Sequence, residues 1–276
     1  MLKFRLNMED IAMDLTPVLQ NDFFKQGFLG YGEEGDILAF SAAHIIPLII
    51  MIVCILLIYF KRDNIRESKH ENTYRIILGV ICLLGELIYY WRLCYVGSGN
   101  ISNPNMLSKL PLEVCDLSTI LAAIMLLNKN KGCFQYCAYV CLTLGLLPLF
   151  SVDVISTCGP RYIRYYQYWF QHIGPIVGVF YMLFVHNFKI EKKGIIFTYI
   201  ALFLLAAISI PANNLIKNAH FMYLQGDIFI SQYLPDSQIL RLLIASIGAL
   251  PLFFLVYYLV HKFNVKEEKR LKELSE

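Results

Sequence analysis

Charge is what this chain most lacks. Of its 276 residues, 16% are charged, 24 Lys and Arg against 21 Asp and Glu. Soluble domains carry about 25% charged residues, so composition points away from a soluble fold. A net charge of only +3 offers no footprint for a nucleic-acid partner. The eight cysteines show no CxxC and no Cys/His zinc spacing, so neither a metal site nor a disulfide framework is implied. A cleavable signal peptide is also missing, because residues 1–20 lack a long apolar run and carry Glu9, Asp10 and Asp14. What is present in quantity is apolar surface: 57% of residues are hydrophobic. The mean hydropathy is +0.54.

Seven apolar runs approach the roughly 20 residues a membrane-spanning helix needs. They lie at 39–60, 74–96, 111–128, 133–150, 168–187, 194–212 and 238–260. They predict an all-α polytopic membrane protein. Residues 1–38 form a partly interfacial N-terminal segment, 39–261 the seven-helix domain and 262–276 a basic cytoplasmic tail. The third and fourth runs are short and are joined by a tight turn at 128–132. Interior prolines at 47, 148, 175 and 251 are tolerable in spans whose neighbours bond the freed carbonyls.

Lysine and arginine placement gives the orientation. The loops after the first, third, fifth and seventh runs hold 15 of the 24 basic residues. The N-terminus is therefore expected outside and the C-terminus inside.

The stretch Leu110-Pro111-Leu112-Glu113-Val114-Cys115-Asp116-Leu117 opens the third run. Proline suits a first turn, and Glu113 and Asp116 suit the positive end of the helix dipole. Cys115 follows Leu110 by five residues, about 7 Å below the outer start of the span. His172 and His44 fall at similar outer depths in spans five and one. Glu86 and Arg92 sit in the outer half of span two, and Asn213 and Asn214 end span six outside. Ionisable groups inside spans are costly and face cavities or one another, so these residues predict an outward polar pocket. A thiolate is a nucleophile and a neighbouring histidine can take its proton, which makes Cys115 and His172 the reactive pair.

Plainer readings stand beside this one. Cys115 can be a small packing residue and His172 a hydrogen-bonded structural group. Tyr165, Tyr168 and Trp169 fit an interfacial aromatic belt. Cys133, Cys137 and Cys141 recur every fourth residue as a small packing face. Cys94 and Cys158 both fall outside and can form a disulfide. Glu86 can pair with Arg92, or the pairing can cross to Glu113 or Asp116.

The order of His44, Glu86 and Trp91, the Pro111-Leu112-Glu113-Val114-Cys115 motif, His172, Asn213-Asn214, Asn218 and Tyr223 resembles the bacterial YwaF-type integral membrane proteins. Those are similar to eukaryotic transmembrane protein 164, an acyltransferase that moves a polyunsaturated chain onto ether-linked lysophospholipids. The resemblance covers about residues 23–260. It implies that the essential cysteine and histidine of that enzyme correspond to Cys115 and His172. Many relatives carry histidine where this chain has Glu113. The expected function is lipid acyl transfer in a bacterial cell membrane through a cysteine thioester, with membrane lipids as partners and no soluble cofactor. Asn213 or Asn214 is the expected oxyanion donor, His44 a group orienting His172 or binding phosphate, and Arg92 a phosphate anchor. Glu86, Glu113 and Asp116 complete the substrate-binding set. The competing expectation is a small-solute transporter or a substrate-binding membrane subunit built on the same pocket.

Overall fold

The computed structural model describes residue 28 and residues 40–96, 110–150, 159–216, 219–225 and 234–275; the side chains of 89–96 and 275 are excepted. The chain is all-helical, with no strand among the described residues. The helices are α1 Ala42–Glu67, α2 Glu71–Val96, α3 Val114–Asn128, α4 Lys131–Cys141, α5 Leu147–Phe150, α6 Ile163–Phe184, α7 Lys193–Leu215 and α8 Gln238–Ser275. Short 3-10 turns occupy Leu144–Leu146 and Phe221–Tyr223.

Each of the seven apolar runs carries a helix. By length and composition, α1, α7 and α8 can cross a membrane. The fourth run is broken, with α4 and the 144–150 segment meeting at 55°; counted as one span, it makes a fourth. The remaining long helices do not reach that length and composition among the described residues. α3 has only 15 residues. α2 and α6 carry the buried Glu71, Arg75, Glu86, Gln167, Gln171 and His172.

α6 is central. It packs against α1, α2, α3 and α4, and most of its length is buried, from Tyr165 to Phe184. α1, α7 and α8 lie outside it and present Leu57, Leu204 and Ile247 outward. Among the glycines of the described residues, the closest approach to another helix's backbone is at Gly85 of α2, where an added Cβ would lie 2.9 Å from the Gln171 backbone nitrogen of α6. Only glycine lets two helix backbones meet this closely.

Two interior prolines show how their freed carbonyls are satisfied. Pro47 cannot bond the Ala43 carbonyl four residues back. The Tyr165 hydroxyl donates to that oxygen instead, at 2.6 Å. Pro175 leaves the Gln171 carbonyl without its helical donor, and the Thr119 hydroxyl of α3 lies 3.2 Å from it. In both cases a neighbouring helix supplies the missing donor.

The end of the bundle away from Cys115 holds a buried charged cluster. Glu71 Oε1 lies 2.6 Å from His186 Nε2 and 3.2 Å from Arg75 Nε. Arg75 also donates to the Leu126 and Leu127 carbonyls, which close α3 and lack helical partners. α8 runs 38 residues, about 57 Å at 1.5 Å per residue, well beyond a hydrocarbon core of about 30 Å. Its projecting end is tied to α1. Arg270 donates to Asp63 at 2.7 and 2.9 Å, and Arg62 Nε donates to Glu267 at 3.1 Å.

Candidate functional site around Cys115

The start of α3 is built by its own acidic residues. Asp116 Oδ2 accepts the Glu113 backbone N–H at 3.0 Å. The Glu113 side chain returns the favour to the N–H of residue 116, closing a reciprocal capping box. Two further bonds dock this turn on other parts of the chain. Met222 N–H donates to Glu113 Oε2 at 2.8 Å, and the Ser209 hydroxyl of α7 donates to the Leu112 carbonyl at 3.2 Å.

A chain of side-chain amides leads inward from α6. Arg164 donates to Gln167 Oε1. Gln167 Nε2 donates to the Gly85 carbonyl at 2.7 Å and to Gln171 Oε1 at 2.9 Å. Gln171 Nε2 then bridges two buried carboxylates, donating to Glu86 Oε2 and to Asp116 Oδ1, each at 2.9 Å. The amide places one N–H on each acid, which is the full donor capacity of that nitrogen. The helix contact at Gly85 sets this register, because α2 must lie against the α6 backbone for Glu86 to meet Gln171.

The Cys115 thiol joins this network. Its Sγ donates to Asp116 Oδ1 at 3.6 Å, a normal length for a sulfur donor. Asp116 therefore takes three bonds from three sources: a thiol, a side-chain amide and a backbone N–H. The Thr119 hydroxyl sits between the Cys115 carbonyl at 2.8 Å and the Gln171 carbonyl at 3.2 Å, locking α3 to α6 beside the thiol.

His172 follows Gln171 and is buried. Its ring meets Tyr168 edge-on, with centroids 4.4 Å apart. Cys115 and His172 are expected from sequence within direct or single-water reach of each other; the hydrogen bond the thiol makes in the structure runs to Asp116 Oδ1. Asp116 is next to the thiol in the same first turn, and Gln171 turns its Oδ1 toward it.

The other expected site residues divide into two groups. Glu86, Glu113 and Asp116 are brought together around the thiol. His44 is committed elsewhere. Its Nδ1 accepts the Phe40 N–H at 3.1 Å, its Nε2 lies 2.7 Å from the Leu149 carbonyl, and its ring stacks on Trp169. With Nδ1 accepting, Nε2 carries the proton and donates, so His44 joins α1 to α5 and neither ring nitrogen is left to orient His172 or hold phosphate. Asn213 is committed too. It donates from Nδ2 to the Phe221 carbonyl and Gln238, and accepts the Phe221 N–H at 2.7 Å. Asn214 Oδ1 accepts from Gln238 Nε2. Asn213 thus holds the 219–225 turn that delivers Met222 to Glu113, Asn214 ties the end of α7 to Gln238 of α8, and the expected oxyanion role does not fit Asn213. The Arg92 side chain, and the proposed Cys94–Cys158 disulfide, lie outside the described side chains.

Residues 39–260 match the TMEM164 family. The chain belongs to the TMEM164 family. The matched span contains all of the site just described, from Glu86 to Met222. Its apolar helices agree with an integral membrane protein of this family. No curated protein and no solved structure shows significant similarity to the chain.

Within this TMEM164 chain, the residues that sequence reasoning passed over are Gln167, Gln171, Thr119 and Arg164. A usable signal was there. Gln167 and Gln171 are spaced four apart in an apolar helix, so they share a face, and two amides on one buried face imply polar partners across the interface.

Proposed function

We propose that this protein transfers an acyl chain between membrane lipids through a thioester on Cys115. The observation that carries the reading is a cysteine thiol already hydrogen-bonded to a carboxylate, inside a buried polar cluster of a TMEM164-family membrane protein. Thiol attack on an ester splits one hard displacement into two easier ones. Burial keeps water from hydrolysing the thioester. His172 serves the carbonyl oxygen. Its ring lies on the α6 face that carries Gln171 and Tyr168, and a ring N–H donated to the oxyanion would stabilise the tetrahedral species.

In this reading all seven helical runs cross the bilayer, N-terminus outside, which puts Cys115 near the outer face of a bacterial cell membrane. The alternation of basic residues supports that orientation. Lipids reach the site laterally along helices that already present apolar side chains, such as Leu204 and Ile208 on α7. No soluble cofactor is needed, because ester donor and alcohol acceptor both reside in the membrane.

The test is acyl transfer by the purified protein in liposomes holding a fluorescent-acyl phospholipid and a lysophospholipid. The expected result is a new fluorescent diacyl lipid that Cys115→Ala abolishes. Transfer undiminished by Cys115→Ala, or no transfer across a broad panel of lysophospholipids, overturns the proposal.

A further inference from the structure

We infer that Asp116 is the proton acceptor and donor of the reaction at Cys115, with Gln171 and Glu86 as the residues that position it. The inference rests on the acyl-transfer reading and specifies its proton path. Among the described residues, the thiol's hydrogen bond runs to Asp116 Oδ1 and not to His172. That oxygen is also held by Gln171 Nε2 at 2.9 Å, while Oδ2 is held by the Glu113 N–H at 3.0 Å. The carboxylate is therefore fixed in rotation, with one lone pair aimed at sulfur. A side chain poised this way needs no reorganisation before it takes a proton.

Titratable groups from several elements face the pair. α2 contributes Glu86, the turn before α3 contributes Glu113, and α4 contributes Tyr136. α6 contributes Arg164, Tyr168 and His172, and the 221–223 turn contributes Tyr223. Arg164 is the one cation of this set, and its guanidinium is bonded to Gln167. Asp116 alone of the set bonds the thiol.

The steps balance. The S–H bond breaks, its proton passes to Asp116 Oδ1, and the sulfur electron pair forms a bond to the donor ester carbon. The tetrahedral intermediate collapses, the C–O bond breaks, and the leaving alkoxide takes the proton from Asp116. For the second half, the acceptor hydroxyl gives its proton to Asp116 as its oxygen attacks the thioester. The C–S bond then breaks and the proton returns to sulfur. No oxidant, reductant or further reactant enters.

Glu86 gives Gln171 its second partner. With one N–H held by Glu86 and the amide oxygen held by Gln167, the other N–H must point at Asp116. Gln171 and Glu86 touch no reacting atom, so they are positioning residues.

Leaving-group dependence separates an acid–base role from a structural one. An alkoxide leaving from a phospholipid needs a proton, whereas nitrophenolate leaving from a nitrophenyl fatty ester does not. Thioester formation at Cys115 is measured with both donors by quenched mass spectrometry. Asp116→Asn keeps the cap acceptor and the side-chain shape. It is expected to slow the phospholipid reaction by about 10²–10⁴-fold, the usual worth of general acid–base catalysis, and the nitrophenyl reaction at least tenfold less. Asp116→Glu, the second variant should the first fail to fold, keeps a carboxyl group and should retain more lipid rate than any other replacement while showing a weaker split. Glu86→Gln should lower both donors together. If Asp116→Asn slows both donors equally, Asp116 does not protonate the leaving group, and if it slows neither, it is not the acid–base group; either result overturns the inference. If the split appears in His172→Gln instead, the inference falls while thioester chemistry at Cys115 stands. If wild type forms no thioester with either donor, the acyl-transfer reading falls, and this inference with it.

Discussion

Replacing Gly85 tests whether the α2–α6 contact organises the site. A Cβ at that position would lie 2.9 Å from the Gln171 backbone nitrogen, and 3.2 Å from Gln171 Cα and the Phe170 carbonyl carbon. All three are backbone or Cα atoms of a buried helix, so no side-chain rotation relieves the clash. The helices must part. Overpacking of this kind costs about 1–3 kcal/mol, against which alanine recovers up to about 1 kcal/mol of helix propensity. Gly85→Ala should therefore be destabilising by about 0–2 kcal/mol. Gly85→Val adds two methyls toward the same backbone and lacks alanine's propensity, so it should reach about 3 kcal/mol or fail to fold. Gly248 is the control, since an added Cβ there meets nothing within 4 Å. Gly248→Ala should be neutral or stabilising by up to about 1 kcal/mol. Thermal unfolding in one detergent ranks the set. Site function should fall in the same order, because the Gly85 carbonyl accepts Gln167 Nε2 at 2.7 Å and separation of the helices pulls on the amide chain. A Gly85→Val protein as stable as wild type, or a Gly248→Ala protein as damaged as Gly85→Ala, would refute the reasoning.

Three further outcomes are expected. Gln171→Leu removes the donor shared by Glu86 and Asp116, and bonds to charged groups are worth about 1.5–3 kcal/mol each; a loss above about 3 kcal/mol at neutral pH should show in chemical denaturation, and adding Glu86→Gln should recover part of it by removing one buried charge. Asn213→Ala should cost about 1–3 kcal/mol and increase amide exchange in 219–225, measured by hydrogen–deuterium exchange, since that side chain makes two bonds to Phe221 and a third to Gln238. At the tail of α8, the Arg270 hydrogen bond outweighs burial and holds Asp63 below the usual carboxylate range. Burial pushes Glu267 up, but bonds from Arg270 and Arg62 more than reverse it and leave it low. Carboxyl groups held low in the folded state stabilise above their unfolded value, near 4, and lose that stabilisation as pH falls through the folded value. Stability should drop below about pH 4, and Arg270→Met should flatten that drop in unfolding measured across pH; an unchanged acid limb contradicts the assignment.

The helical runs were legible because apolar length is a strong signal, and each of the seven contains a helix. The break between α4 and α5 was less legible, since 144–150 stays apolar through the bend and only Gly145 and Pro148 mark it. The stretch around Cys115 was legible as an acidic helix start. The partner of the thiol was not, because a cysteine–histidine pair is a familiar chemistry while the deciding contact is between neighbours in sequence, Cys115 and Asp116. That contact depends on Gln171 turning the carboxylate, and Gln171 depends on Gly85. Such a chain of dependence exists only once the helices are packed. His44 and Asn213 misled for the opposite reason. Their depth and polarity suggested a pocket, but their hydrogen bonds are spent on α5 and on the 219–225 turn.

The central claim is that Cys115 carries the acyl chain. Purified protein is incubated briefly with a phospholipid donor, quenched in acid, digested and read by mass spectrometry. The account predicts an acyl adduct on Cys115 that hydroxylamine removes, that an added lysophospholipid consumes, and that is missing from Cys115→Ala. An acylated acceptor formed while Cys115 stays unmodified at every quench time, or a hydroxylamine-sensitive adduct on another residue that survives Cys115→Ala, would contradict it.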